Sequence, residues 1–218
     1  MSKATPATEL PPAVPASPLL LAFVSGYIDA AVFVALGGLF VAHVTGNFVL
    51  LGAAIAGTSV TGHGGSTTLQ LVSFPIFFAG AFLAALVARH RAGSSTVALL
   101  WMTAIIVAAA AIPTLIMPGY EAPQAMGFAF AMGVLNAAHR LDSSLGPPFT
   151  VMTGNVTALA VRAAGAGPAQ AKGAAPAMAI LVLGFAAGCV LGAIAQDLFG
   201  LAAMLFPACL LSIRLLIR

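Results

Sequence analysis

The chain has 218 residues, of which 61% are hydrophobic and only 6% charged, with a mean hydropathy of +1.09. Soluble domains carry about 25% charged residues, so a water-soluble fold of this size is excluded. The net charge of +3 is spread along the chain without a Lys/Arg cluster able to track phosphates, which removes nucleic acid as a partner and leaves the lipid bilayer.

Residues 1–17 are polar and Pro-rich and read as a disordered tail. They lack the form of a signal peptide, because the apolar run that follows leads directly into more membrane segments and acts as an uncleaved anchor. A transmembrane helix needs about 20 apolar residues. The candidates in chain order are 18–38, 39–57, 69–88, 96–117, 122–138, 147–161, 176–196 and 199–217. They are separated by polar or breaker clusters such as Arg89-His90-Arg91, Pro118-Gly119-Tyr120-Glu121 and Asp197. No period-two alternation of the kind barrel strands need is present. The expected class is an all-α polytopic membrane protein.

Segments 39–57 and 147–161 each carry Thr-Gly-Asn mid-way, as Thr45-Gly46-Asn47 and Thr153-Gly154-Asn155. Gly and Asn are poor helix formers, so each triplet weakens a continuous helix. The two triplets are 108 residues apart, and the same offset pairs Gly57 with Gly165, Phe77 with Phe185, Gly80 with Gly188 and Leu83 with Leu191. One gapped residue upstream, Gly26-x-x-Asp29-Ala30-Ala31 aligns with Gly133-x-x-Asn136-Ala137-Ala138. The chain therefore reads as one membrane domain of two repeats, 18–117 and 122–218.

Gly26-Tyr27-Ile28-Asp29-Ala30, Phe40 and Thr45-Gly46-Asn47, together with Gly133-Val134-Leu135-Asn136-Ala137 and Val151-Met152-Thr153-Gly154-Asn155, resemble the YoaK family of bacterial membrane proteins, whose function is unknown. The resemblance covers nearly all of the chain after the tail. It implies a bacterial inner-membrane location and supplies no catalytic residue.

Charge decides between two topologies. If all eight segments cross, the repeats are parallel, and Lys3, Arg162, Lys172, Arg214 and Arg218 face Arg89, Arg91 and Arg140 across the membrane, a weak five-to-three bias. If the Thr-Gly-Asn segments dip in and return, six helices cross, and all eight Lys/Arg share one side with both termini. The second arrangement is preferred: two inverted repeats, each with three transmembrane helices and one re-entrant segment, and both termini cytoplasmic. In it, residues 39–44 form an extended arm reaching roughly 20 Å, and Thr and Asn cap the buried amino end of each half-helix.

Asp29 is the acid inside an apolar run, where an uncompensated carboxylate costs about 2.5–3.5 kcal/mol on insertion scales. It reads either as a proton site or substrate contact, or as a structural hydrogen bond to a neighbouring helix. Its repeat partner is Asn136. Tyr27 and His43 could join a polar pathway with it, although each alone reads more simply as a satisfied buried side chain. The Gly184/Gly188/Gly192 face, echoed by Gly80/Ala84/Ala88, reads as a close-packing surface within the bundle or between subunits of a homo-oligomer. Cys189 and Cys209 lie in apolar runs and read as free thiols. His43, His63, His90 and His139 lack metal-ligand spacing, and no cofactor is expected.

Duplicated membrane segments with paired breaks suit a small-solute transporter or channel, with its site at the repeat interface formed by Thr45, Gly46, Asn47, Thr153, Gly154, Asn155, Asp29 and Asn136. The expected solute is neutral or anionic, with Asp29 as a proton-coupling group. The alternative is a non-transporting scaffold, assembly or sensor protein. No HExxH or Ser/His arrangement argues for an enzyme.

Overall fold

The computed structural model describes residues 16–58, 65–90, 95–117, 119–166 and 174–217. Most of the tail read over 1–17, and Lys3, His63, Arg91, Lys172 and Arg218, lie outside the described residues. Among the described residues eight α-helices follow one another: α1 (Pro18–Ala35), α2 (Gly46–Ile55), α3 (Thr67–His90), α4 (Ser95–Ala111), α5 (Glu121–Leu141), α6 (Met152–Ala163), α7 (Ala174–Phe199) and α8 (Leu205–Leu216). Among the described residues there is no strand.

Among the described residues, four stretches are long and apolar enough to cross a membrane: Pro18–Ala35, Thr67–His90, Ser95–Leu115 and Ala175–Leu216. The last holds both α7 and α8, divided by a 3-10 turn over Gly200–Met204 that starts at Gly200 with φ 60°. Helix α5 has 21 residues and rises about 31 Å, but Glu121, Gln124, Asn136, His139 and Arg140 make it more polar than its neighbours. Helices α2 and α6, with 10 and 12 residues, rise only about 15 and 18 Å. Each is near half the ~30 Å hydrocarbon thickness.

Local chemistry sets the boundaries. Ser17 accepts a hydrogen bond from the Leu20 N–H at 3.2 Å with Pro18 at the first helical position, a favoured helix start. Gly37 and Gly38, at φ 60° and 119°, turn the chain out of α1 in a conformation that side chains oppose. In both Thr-Gly-Asn segments the helix begins late. Residues 39–44 and 147–151 are non-helical, so half of each apolar segment contributes no helix.

Helix directions follow from glycine contacts. On α7, a Cβ at Gly184, Gly188 or Gly192 would overlap Leu19, Phe23 or Tyr27 of α1, respectively. Both series advance by four, so α1 and α7 run side by side in the same direction. In the other half of the bundle, a Cβ at Gly80 of α3 would strike the Phe130 carbonyl of α5, and one at Gly133 would strike the Phe77 carbonyl. These contacts are the repeat counterparts of Gly188 on Phe23 and Gly26 on Phe185. The sequence duplication is therefore a duplication of packing: α1 on α7 and α5 on α3. The glycine face lies inside the bundle, where backbones approach closely enough for dispersion and Cα–H···O contacts to supply the attraction that lipid does not.

The helix ends fall into two layers. At one end, Gln70 of α3 donates to the Gly38 carbonyl just past α1 at 2.9 Å. At the same end, Gln124 of α5 donates to Thr114 past α4 at 2.6 Å, and Thr114 also borders Gly200, which precedes α8. Helix α4 thus ends where α8 begins, and the two, which pack together, run antiparallel. At the opposite end, Thr96 at the start of α4 hydrogen-bonds Asp142 just past α5, and Pro18 borders Gly146. Burial opposes the Asp142 charge, but hydrogen bonds from Ser144 and Thr96 outweigh it and hold this carboxyl below its ordinary range.

Candidate functional site

Two arms, residues 39–45 and 147–151, carry the site. Asp29, in α1 and almost fully buried, holds the first. Its Oδ1 accepts from the N–H groups of Val41 and Ala42, both at 2.7 Å, and its Oδ2 lies 2.7 Å from His43 Nδ1. Gathering adjacent N–H groups onto one oxygen bends the chain at 41–43, and Gly46 then closes a turn onto the His43 carbonyl at 2.7 Å. The extended arm expected over 39–44 is therefore corrected: it is folded, and its reach is shorter than roughly 20 Å.

Asn47 fixes the other flank. Its Oδ1 accepts from the Phe40 N–H at 2.9 Å, and its Nδ2 donates to the Phe40 carbonyl at 2.8 Å and to Ser73 Oγ at 2.9 Å. Asn155 repeats the reach over the same seven residues, donating to the Pro148 carbonyl at 2.5 Å. Pro148 has no N–H to return, so the second clamp has one rung fewer. The capping role expected for Thr and Asn is likewise corrected. Thr45 sits at the N-cap without a side-chain cap bond. Thr153 lies inside the first turn of α6, and both asparagines point back along the arm instead of onto the helix end. Gly46 leaves room for the Phe40 ring, which a Cβ would overlap. Gly154 faces open space, and nothing in the structure explains its lack of a side chain.

The arms approach each other at His43. The Thr150 carbonyl interacts with its ring, and the Thr150 hydroxyl donates to Asn136 Oδ1 at 2.5 Å. A line of polar groups thus runs Asp29–His43–Thr150–Asn136, from α1 through both arms to α5, hydrogen-bonded at its two ends and bridged in the middle by the approach of the Thr150 carbonyl to the His43 ring. Of the expected site residues, Asp29, His43 and Asn136 come together here. Asn47 and Asn155 brace the arms, while Thr45, Thr153 and Gly154 are exposed and outside the chain. Tyr27 is also outside it: its hydroxyl donates to the Ala203 carbonyl at 3.1 Å and its ring packs near Phe23 and Phe206.

A cavity of about 390 Å³ adjoins the chain, lined by Asp29, Phe33, Phe40, His43, Phe185 and Cys189 among others. It lies between α1 and α7, hence between the repeats. His43 is its partly exposed polar group, at 32% side-chain exposure against 4% for Asp29. Thr150 was not singled out from sequence, and Phe185 and Cys189 were read there only as a repeat match and a free thiol. Thr150 carried one usable signal, its place three residues before the second triplet.

A family model described as a protein of unknown function (DUF1275) matches residues 18–217. The chain belongs to the DUF1275 family. Its match runs from the first residue of α1 to beyond α8, so both arms and the residues that hold them fall inside it. Neither a curated protein nor a solved structure matches the chain.

Proposed function

We propose that this protein is a small-solute transporter or channel of the bacterial inner membrane, built from two inverted repeats in which α2 and α6 re-enter. The observation that carries the reading is the Asp29–His43–Thr150–Asn136 chain, formed where two interrupted segments meet beside a cavity at the repeat interface. Transporter sites of inverted-repeat folds form in this way. Helix directions support the topology. Helix α1 ends beside the start of α3, so α2 leaves and returns on one side; the antiparallel pairing of α4 with α8 asks the same of α6. On that reading Arg89, Arg140, Arg162 and Arg214 share one side, which is then cytoplasmic with both termini, while Glu121 and Asp197 lie opposite.

Both Asp29 oxygens are occupied, so the cavity offers a solute His43 and aromatic rings instead of a free carboxylate, which suits a neutral or anionic molecule. The Asp29–His43 pair supplies a proton site. With the proton on either partner, Oδ1 still accepts from Val41 and Ala42 and the third hydrogen bond survives, so a proton enters or leaves without dismantling the arm. The second reading, a non-transporting scaffold, draws support from the asparagine clamps, which close within their own repeats.

The test is flux into proteoliposomes of a panel of small neutral and anionic solutes, with and without a pH difference. Flux should fall when Cys189 is modified by a small thiol reagent in a Cys209→Ser background, and Asp29→Asn should remove the pH dependence while flux continues. Absence of flux for the whole panel, with Cys189 unreactive, would favour the scaffold.

A further inference from the structure

Away from the site, the bundle carries two grooves related by the duplication. One, of about 810 Å³, lies between α3 and α4 and is lined by Leu83, Leu86, Val87, His90, Ala98 and Trp101 among others. The other, of about 490 Å³, lies between α7 and α8 and includes Leu191, Ile194, Ala195, Leu198 and Phe206. Those five are the residues 108 positions beyond Leu83, Leu86, Val87, His90 and Ala98. The walls match in kind, but the mouths do not. The first groove opens at His90, next to the exposed Arg89; the equivalent pair in the second is Asp197 and Leu198. Asp142, at the same end of the bundle, is engaged by Thr96 and Ser144. Thr96 is buried on the face of α4 opposite Ala98 and Trp101.

We propose that the α3–α4 groove is a binding site for an anionic phospholipid, its acyl chain along Leu83, Leu86 and Ala98 and its phosphate at Arg89 and His90. The occupant follows from charge complementarity. An apolar trough that opens at an imidazole, with an exposed guanidinium on the adjacent residue, fits a chain with a negative head, and the neutral or acidic mouth of the twin groove does not. Placement in the leaflet rests on the topology proposed above, which puts Arg89 on the cytoplasmic side where anionic lipids concentrate. The binding itself does not depend on transport.

Native mass spectrometry of the full chain tests this, with phosphatidylglycerol and phosphatidylethanolamine of identical acyl chains added to delipidated protein. Phosphatidylglycerol should be retained preferentially. Arg89→Gln with His90→Gln should lower its retention by about fivefold or more, the scale expected per juxtamembrane cation. The twin-groove control Asp197→Asn should leave retention unchanged. Ala98→Phe, which fills the trough without touching the charges, should lower retention of both lipids and checks the site independently should the charge variant fold poorly. Equal retention of the two lipids, or undiminished phosphatidylglycerol binding in both groove variants, would overturn the assignment. So would a concentration-dependent dimer that Ala98→Phe abolishes, because a second copy would then be the occupant.

Discussion

Asp29→Ala should destabilise the protein by about 3 kcal/mol or more in detergent, whereas Asp29→Asn should cost about 1 kcal/mol or less. The alanine variant strands the buried N–H groups of Val41 and Ala42 and the His43 ring nitrogen, which now bond within 2.7 Å, and each buried unsatisfied group costs about 1–3 kcal/mol. Asparagine keeps Oδ1 for the two N–H groups and offers its amide to a neutral His43, so the arm stays folded. Thermal unfolding of the two variants side by side is the measurement. Equal and large losses would mean that the charge itself holds the arm; equal and small losses would mean that the arm is held by the Asn47 clamp and packing alone.

Gly188→Leu and Gly80→Leu should each prevent stable assembly, and to a similar degree. A first carbon at either position already overlaps a carbonyl oxygen, of Phe23 or of Phe130. A backbone atom cannot rotate away as a side chain can. Overpacking costs about 1–3 kcal/mol where neighbours can move, and here the whole of α1 or α5 would have to shift. Gly52→Leu, where a Cβ meets nothing within 4 Å, is the control and should be tolerated. Yield of monodisperse protein and its melting temperature give the answer. Unequal effects of the paired substitutions would show that the two halves are not energetically equivalent despite their matched contacts.

The helices were legible in the sequence because hydropathy and breaker residues are local signals. The segments read at 69–88, 96–117 and 176–196 became α3, α4 and α7, and the matched Gly26 and Gly133 proved to be matched packing positions. The arms were not legible. Their fold is set by Asp29 and Asn47 reaching across 12 to 13 and seven residues, and such contacts leave no periodic trace. The capping expectation failed for the same reason: Asn is a good cap in isolation, but the half-buried Phe40 peptide, whose N–H and C=O would otherwise lack these partners, competes for the side chain and wins. Thr150 could be recognised only once the two arms were seen to approach. Tyr27 looked like a neighbour of Asp29 because they are two residues apart, yet on a helix such residues point to different faces.

In the proposed topology the repeats face opposite ways, so that the interrupted segments meet from opposite sides. The most direct measurement is the sidedness of single cysteines introduced at Ser144 and Gln170, on either side of the second Thr-Gly-Asn segment, in a chain lacking Cys189 and Cys209. With a membrane-impermeant maleimide applied to intact and to inverted vesicles, both should be labelled from the same, cytoplasmic, face. Labelling from opposite faces would mean instead that α6 crosses the membrane and that the repeats are parallel.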